Sequence, residues 1–583
     1  MLNSGSIGHF LFQRSKNTLK NLSWMVVVMI ATAGAAQPVQ HLTAVQPGGM
    51  PGLPVLEGIQ PVTNGMHVTW DGPSGYYQVY QASNNLKAPW TPLGRATNLL
   101  RSLTVTKLYS NAFFRVSGPA PKYAGSKACL SCHLSVCQYV TYTPHASAFS
   151  DPAFRAAGGQ TNSSCLPCHT VGYGLPTGFA LTNKNGVYSY NTALAGVQCE
   201  NCHGPAASHA SAPDDPTVIP RVEIAATVCG GCHSASHTTY ANPPTFEEWS
   251  GSDHSAVTPG ALSSMSASTN NISSCGRCHS GSVRLALING LNPMSLTNDL
   301  NVAITCAVCH DPHQTNANPA QLRNPLSSTN YFTLATSDVF SNKYNANTNI
   351  NLCGQCHNSR GAAWTDTSRA PHLSPQYNFL LGSIGELLTG SSTFNPGTHA
   401  GLPSSAMNSL SGTFYLTNQC TECHLQNDSS GGHDHSFAVT TDAVCYNCHV
   451  TDPEILEDDF LTPAISNNVV TLLTGLNRWA ALKAPPSLQS NGVVAWEYTT
   501  PGGLTWQTNS AGVVTNWSLA NPVNFTGPNA AGQALLTTNF PNILKIRFNL
   551  YLVLNDGSFG VHNPGLALSL LNSAQIWLTQ ALQ

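Results

Sequence analysis

Cys129-Leu-Ser-Cys132-His133 is the first of nine copies of the string Cys-x-x-Cys-His in this chain of 583 residues. The others are Cys165, Cys168 and His169; Cys199, Cys202 and His203; Cys229, Cys232 and His233; Cys275, Cys278 and His279; Cys306, Cys309 and His310; Cys353, Cys356 and His357; Cys420, Cys423 and His424; and Cys445, Cys448 and His449. Two cysteines three apart can each form a thioether to one of the two vinyl groups of a porphyrin. The adjacent histidine then stands under the ring as an iron ligand. The string is therefore the attachment signature of c-type haem, and nine copies predict nine covalent haems c. They account for all but one of the 19 cysteines. Zinc sites pair two such half-sites without demanding a histidine after every second cysteine, and a disulfide framework leaves the nine following histidines unexplained. The remaining thiol, Cys137, reads as a buried small apolar group or an intermolecular link.

Of the 22 histidines, thirteen lie outside the motifs, and nine of these fall within the motif stretch: His145, His209, His237, His254, His313, His372, His399, His433 and His435. A second neutral imidazole on the far side of each iron gives a closed, six-coordinate centre suited to electron transfer, with no position for a substrate. His433 and His435 are two apart, and one iron needs only one of them; His435 is the expected ligand. His562, in Gly560-Val561-His562-Asn563-Pro564, could then supply the missing imidazole.

Outward from this stretch the chain is unusually uncharged. Asp, Glu, Lys and Arg make up 8% of it, against roughly 25% in an ordinary soluble chain, and the formal charge of −3 offers no basic footprint for nucleic acid. Residues 1–36 read as a secretory signal, with Arg14, Lys16 and Lys20 ahead of the apolar run Trp24 to Ala33 and small residues after it. That run falls short of the roughly 20 residues needed to span a bilayer, and no later one is long enough. The expected location is periplasmic or extracellular. Residues 37–55 form a Pro/Gly-rich linker. Alternation over residues 56–118, with Met66, Val68 and Trp70 on one face, predicts a small β-sandwich of fibronectin-like type, either a docking module or a spacer.

Residues 119–452 should hold short helices and loops around a packed haem array, because the spacing between motifs leaves room for little more. Residues 453–583 read as helices with a β-like insertion between Val493 and Phe525. Thr462-Pro463 reads as N-cap and first helical residue, Ile543, Ile546, Leu550 and Val553 as one apolar stripe, and Asn563-Pro564 as the cap of a last helix.

Several segments resemble those of bacterial multihaem c-type cytochromes, a group that includes tetrahaem acceptors of nitrogen oxidation and the haem-rich cytochromes of extracellular electron transfer. They are Cys199-Glu-Asn-Cys202-His203-Gly204-Pro205 with His209, Trp249-Ser-Gly-Ser-Asp-His254, Cys306-Ala-Val-Cys309-His310-Asp311-Pro312-His313, Pro371-His372 and the C-terminal Asp556 to Pro564. The resemblance implies that His254 and His313 are distal ligands to haems other than the preceding one; His145 and His435 sit in similar settings. It leaves the β-module uncovered.

Three functions follow. The first is an electron carrier or conduit between redox proteins or extracellular acceptors, as in respiration. The second is an oxidoreductase with one open haem acting on a nitrogen or sulfur oxyanion. Nitrite reductases resembling this group use Cys-x-x-Cys-Lys at the active haem, and no such string occurs here. The third is a subunit of a conductive filament or other homo-oligomer. The count of spare histidines favours the first.

Overall fold

The computed structural model describes residues 24–32, 55–62, 65–71, 76–83, 91–97, 102–105, 111–118, 121–220, 222, 224–235, 244–295, 300–314, 318–324, 327–328, 350–389, 399, 419–426, 432–439, 445–446, 460–490, 492–519 and 525–583. It divides into two compact units, residues 1–223 and 224–583. Among the described residues, no helix is long and apolar enough to cross a membrane.

The first unit opens with two antiparallel sheets. Strands β1 (Trp24–Thr32), β2 (Val55–Val62), β3 (Gly65–Asp71), β4 (Tyr76–Ser83), β5 (Thr91–Thr97), β6 (Ser102–Val105) and β7 (Asn111–Gly118) form the orders β1-β7-β4-β5 and β2-β3-β6. Burial alternates as a two-residue period demands, with Val68 and Trp70 inside on β3, Val79 and Gln81 on β4, and Phe114 and Val116 on β7. His67 stands on the other face of β3 and bonds Thr104 Oγ1 at 3.0 Å. The apolar run that reads as a signal core is itself an edge strand here, pairing antiparallel with β7 from Trp24↔Gly118 to Thr32↔Asn111. Most of the linker, and residues 1–23 and 33–36 of the signal, lie outside the described residues.

Beyond the sheets the first unit has a small core of Tyr123, Phe149, Leu166, Val171, Leu175, Phe179 and Leu194 around the second motif. In the second unit a similar cluster, Met265, Ile272, Val283 and Leu300, lies beside the fifth motif. Most of the motifs sit on a single short helical turn, as at Leu166–His169, Cys199–His203, Cys306–Cys309 and Cys420–His424.

The C-terminal part is built differently. Helices Thr462–Leu482, Ala530–Asn539, Pro541–Asp556 and Pro564–Leu582 share one large aliphatic and aromatic core, and the hairpin Leu504–Thr508/Val514–Leu519 packs on it. Two expectations are corrected. Thr462 is already helical, and the N-cap is Leu461, which packs against the core, so burial rather than a hydroxyl cap starts this helix. Pro541–Asp556 is buried on every side and not on one stripe, because its polar residues have partners inside. Arg547 donates to the carbonyls of Trp496 (3.2 Å) and Glu497 (2.8 Å), and its guanidinium lies 3.9 Å from the centre of the Tyr498 ring. Asn549 donates to Glu386 and Leu570 carbonyls at 2.8 and 3.1 Å. The last helix is capped by Asn563, whose Oδ1 accepts from Leu566 N–H at 3.1 Å.

Glu497 is fully buried, accepting from Tyr551 Oη at 2.6 Å and from the Tyr498 N–H at 2.7 Å. Burial pushes its carboxyl up to about 7, against the pull of these hydrogen bonds and of Arg547. A carboxyl whose folded value lies above its ordinary 4.5 contributes stability that is complete below pH 4.5 and lost as pH rises through 7. Calorimetry across this interval should show a fall from this group of at most about 1.4 kcal/mol per pH unit. Glu497→Gln should flatten that part of the profile, and an unchanged slope in the variant counts against the assignment.

Candidate cofactor sites

The motif histidines do not stand alone. His133 faces His209 with ring centres 6.4 Å apart, His279 faces His372 at 5.9 Å, His310 faces His435 at 6.3 Å, His424 faces His562 at 6.3 Å, and His357 faces His254 at 6.0 Å. Each pair joins one motif histidine to one from outside the motifs. Two imidazoles bonded to one metal at about 2 Å have nitrogens about 4 Å apart and ring centres about 6 Å apart. The five separations match that figure, so the residues present fit a six-coordinate haem iron.

Ring orientation agrees with the separations. An imidazole that donates from Nδ1 keeps Nε2 as its free lone pair and is held in one rotation. Nδ1 of His169 meets the Ala148 carbonyl at 2.9 Å, that of His310 meets Ala320 at 2.7 Å, that of His424 meets Phe437 at 2.8 Å and that of His435 meets His433 at 2.7 Å. His399 Nδ1 lies 2.8 Å from the Val561 carbonyl, His372 Nδ1 lies 3.0 Å from Ser374 Oγ, and His562 Nδ1 lies 2.8 Å from Asp556 Oδ1. Burial pushes His357 and His372 down to about 4. Both imidazoles are neutral at pH 7, the form a metal binds.

His433 has its Nδ1 on the Leu425 carbonyl at 3.1 Å, but among the described residues no imidazole stands opposite its ring. His169 is also different: its ring stacks on Phe154, with centres 4.0 Å apart and planes 12° apart. His145 lies on the turn Pro144–Ser147, capped by Thr143, and burial lowers its pKa. His313 follows Asp311, whose Oδ1 is 3.8 Å from its Nδ1 and 3.7 Å from Arg323. His203 closes the helix Cys199–His203, and His233 follows Ala226–Gly230. His237, Cys448 and His449 lie outside the described residues, and Cys445 is described without the rest of its motif.

Within a motif the backbone turn sets where the two sulfurs emerge. Cys132, Cys168 and Cys232 each donate a backbone N–H to the carbonyl of the first cysteine of their motif, Cys129, Cys165 and Cys229, at 3.3, 3.2 and 3.0 Å. Cys423 lies on the single turn Cys420–His424. One tight turn thus projects two thiols and an imidazole from the same short segment, as attachment at both vinyl groups and the iron requires. Cys165, Cys168, Cys232, Cys275 and Cys423 are half-buried, and Cys132 is exposed. Among the described residues no three or more His, Cys, Asp or Glu side chains converge to hold a metal ion. A haem iron takes four of its six ligands from the porphyrin and needs only two from the chain.

The thiols pair as well, each described pair joining two motifs. Cys129 lies against Cys199 in the first unit. In the second, Cys229 lies against Cys306, Cys278 against Cys356, and Cys353 against Cys420. Since a porphyrin's two thioethers lie along one edge, adjoining thiols mark adjoining edges. The first and third motifs are also tied through Glu200, buried between Cys199 and Cys202. Its carboxylate accepts from the N–H groups of Gly125 (2.8 Å) and Ala206 (2.7 Å). The fifth and seventh motifs are linked by Arg284 Nη2 donating to Gln355 Oε1 at 2.6 Å. Cys137 is buried against Cys199, at the contact between the first and third motifs. The thiol pairs have no signature in spacing, because each joins segments through the fold, whereas the Asp556–His562 contact closes within one seven-residue turn.

Residues 128–204, which hold the first three motifs, match the family model of cytochrome c554 and c-prime. No curated protein matches the chain. Two solved structures are similar. The undecahaem cytochrome from the S-layer of Carboxydothermus ferrireducens is 21% identical, over 79% of this chain and 70% of that one, with a TM-score of 0.47. The outer cell wall cytochrome OcwA is 17% identical, over 78% of this chain and 99% of its own, with a TM-score of 0.46.

The opposed pairs predict a contrast between two variants. His209→Gly should leave the His133 iron one ligand short and add one haem-equivalent of high-spin ferric signal in electron paramagnetic resonance, whereas His433→Gly should leave the spectrum unchanged. A silent His209→Gly spectrum removes the pairing.

Proposed function

We propose that this multihaem c-type cytochrome binds nine haems c, one at each Cys-x-x-Cys-His motif, and passes electrons through them between redox partners outside the cytoplasm. The five opposed imidazole pairs are the observation that carries the reading. Bound haem iron supplies one-electron exchange between ferric and ferrous states. The chain's residues do the rest. The motif cysteines anchor each ring by one edge. His209, His254, His372, His435 and His562 hold the far side of the irons bound by His133, His357, His279, His310 and His424. Two rigid imidazoles so opposed would hold an iron with little movement between its charge states and would leave it no site for small molecules. The thiol pairs, of which Cys353 with Cys420 is one, set the edges of neighbouring haems together and shorten the gap an electron crosses.

Four irons remain, those of His169, His203, His233 and His449, and His145, His237, His313 and His399 are the candidates to face them. Export through the signal at residues 1–36 is part of this proposal, as are redox proteins or extracellular acceptors as partners. Covalent haem attachment outside the inner membrane is the expectation that supports it.

A second reading, an oxidoreductase with one open haem, centres on His169, whose ring stacks on Phe154 and has no imidazole opposite it among the described residues. The two readings separate in one experiment. A pyridine haemochrome assay should count nine haems per chain. An entirely low-spin ferric spectrum with no carbon monoxide shift after reduction supports the carrier. One haem-equivalent of high-spin signal in the parent protein, with carbon monoxide binding of the same stoichiometry after reduction, supports the enzyme. A haem count well below nine overturns both as stated.

A further inference from the structure

The loop between the last two helices holds a contact that the conduit reading does not use. Pro541–Asp556 ends at Gly557 (φ 74°), the chain turns through Phe559 (φ 49°) and Gly560 (φ 94°), and Asn563 caps the next helix. This turn folds His562 back onto Asp556, the last residue of the preceding helix. Asp556 Oδ1 lies 2.8 Å from His562 Nδ1, its Oδ2 accepts from Ser558 Oγ, and the same hydroxyl accepts from the His562 N–H at 3.1 Å. The Asp556 side chain is 0% exposed. Its helix end is fixed to the preceding chain by Asn555 Nδ2 donating to the Pro371 carbonyl at 2.7 Å and Gln376 Nε2 donating to the Asp556 carbonyl at 3.2 Å. The carboxylate is therefore rigidly held, largely dry and aimed at one imidazole.

The other Nδ1 atoms described above meet neutral oxygens, either carbonyls or the Ser374 hydroxyl. Asp311, at 3.8 Å from His313, is beyond hydrogen-bond reach. We infer that Asp556 is a positioning and tuning residue: by accepting the Nδ1 proton of His562 it strengthens that imidazole as an electron donor and lowers the reduction potential of the haem held by His424 and His562. The inference rests on the reading of His562 as an axial ligand.

Two effects act with the same sign. A carboxylate at the outer nitrogen draws the Nδ1 proton toward itself and pushes electron density through the ring to the metal, which favours the ferric state. A fixed negative charge close behind the ligand also favours the more positive iron, the more so in a buried setting. On the opposite face His424 donates only to a carbonyl, that of Phe437. The carboxylate therefore acts on the haem of the eighth motif, next to the seventh, whose Cys353 adjoins Cys420.

The test is a potentiometric titration of the holoprotein followed by electron paramagnetic resonance, comparing Asp556→Asn, Ser558→Ala and His562→Gly with the parent. Asp556→Asn should weaken the ferric preference of one haem at least tenfold, an upward shift of about 59 mV for one electron, while that haem stays low-spin. Ser558→Ala frees the second carboxylate oxygen from its competing donor and should move the same component downward, which keeps the inference testable if the asparagine variant does not fold. Unchanged potentials in both variants, with all haems low-spin, overturn the inference and leave His562 as a ligand. His562→Gly should add one haem-equivalent of high-spin signal. If it adds none, His562 is not a ligand, and both the reading and the inference fall.

Discussion

A metal that takes two imidazoles fixes the distance between two remote points of a chain to within a few tenths of an ångström, and five histidine pairs in this structure stand at that distance. His133 with His209, His357 with His254, and His424 with His562 come from separate segments, yet their ring centres stand 6.0 to 6.4 Å apart. Segments with few aliphatic contacts of their own are brought to that spacing by short helical turns and by side chains bonded to backbone. Glu200 gathers N–H groups from two segments, and Phe437 offers its carbonyl to His424 while its ring lies 4.7 Å from that of His254. The small apolar clusters near the motifs are too sparse to impose such spacing alone; the cofactors supply the missing interior.

The C-terminal helices obey ordinary rules. Their core is aliphatic and aromatic, and the polar side chains inside it, Arg547, Glu497, Asn549 and Tyr551, are bonded to one another or to backbone carbonyls. Two kinds of interior therefore coexist in the second unit: one made by side chains, one made for porphyrins. They meet where Pro371, Gln376 and Phe379 receive the end of Pro541–Asp556 and the start of the last helix.

Much of this was legible in the residues and some was not, for physical reasons. The motif string is local chemistry, so haem c binding could be read from sequence alone, and nine attachment points are what the string leads one to expect. The choice between His433 and His435 needed the fold, because both carry a hydrogen-bonded Nδ1 and only the second stands opposite His310. Cys137, unexplained by spacing, lies against Cys199, a contact between segments that no local pattern encodes. The stripe Ile543, Ile546, Leu550 and Val553 described one face of a helix that is buried all round, since the partners of Arg547 and Asn549 lie far away in sequence. The run Trp24 to Thr32 carries two readings at once, as its apolar β-forming residues suit both a signal core and an edge strand.

The turn at Gly557 also bears on how firmly each imidazole is held. The helices that flank the turn bury an aliphatic core that needs no porphyrin to form. His562 thus stands in a turn clamped between two helices that pack on ordinary aliphatic terms, while His424, opposite it at 6.3 Å, lies on a single short turn. The two sides of this pair differ in stiffness: one imidazole is held by a side-chain core, and the other rests on a segment that has little core of its own.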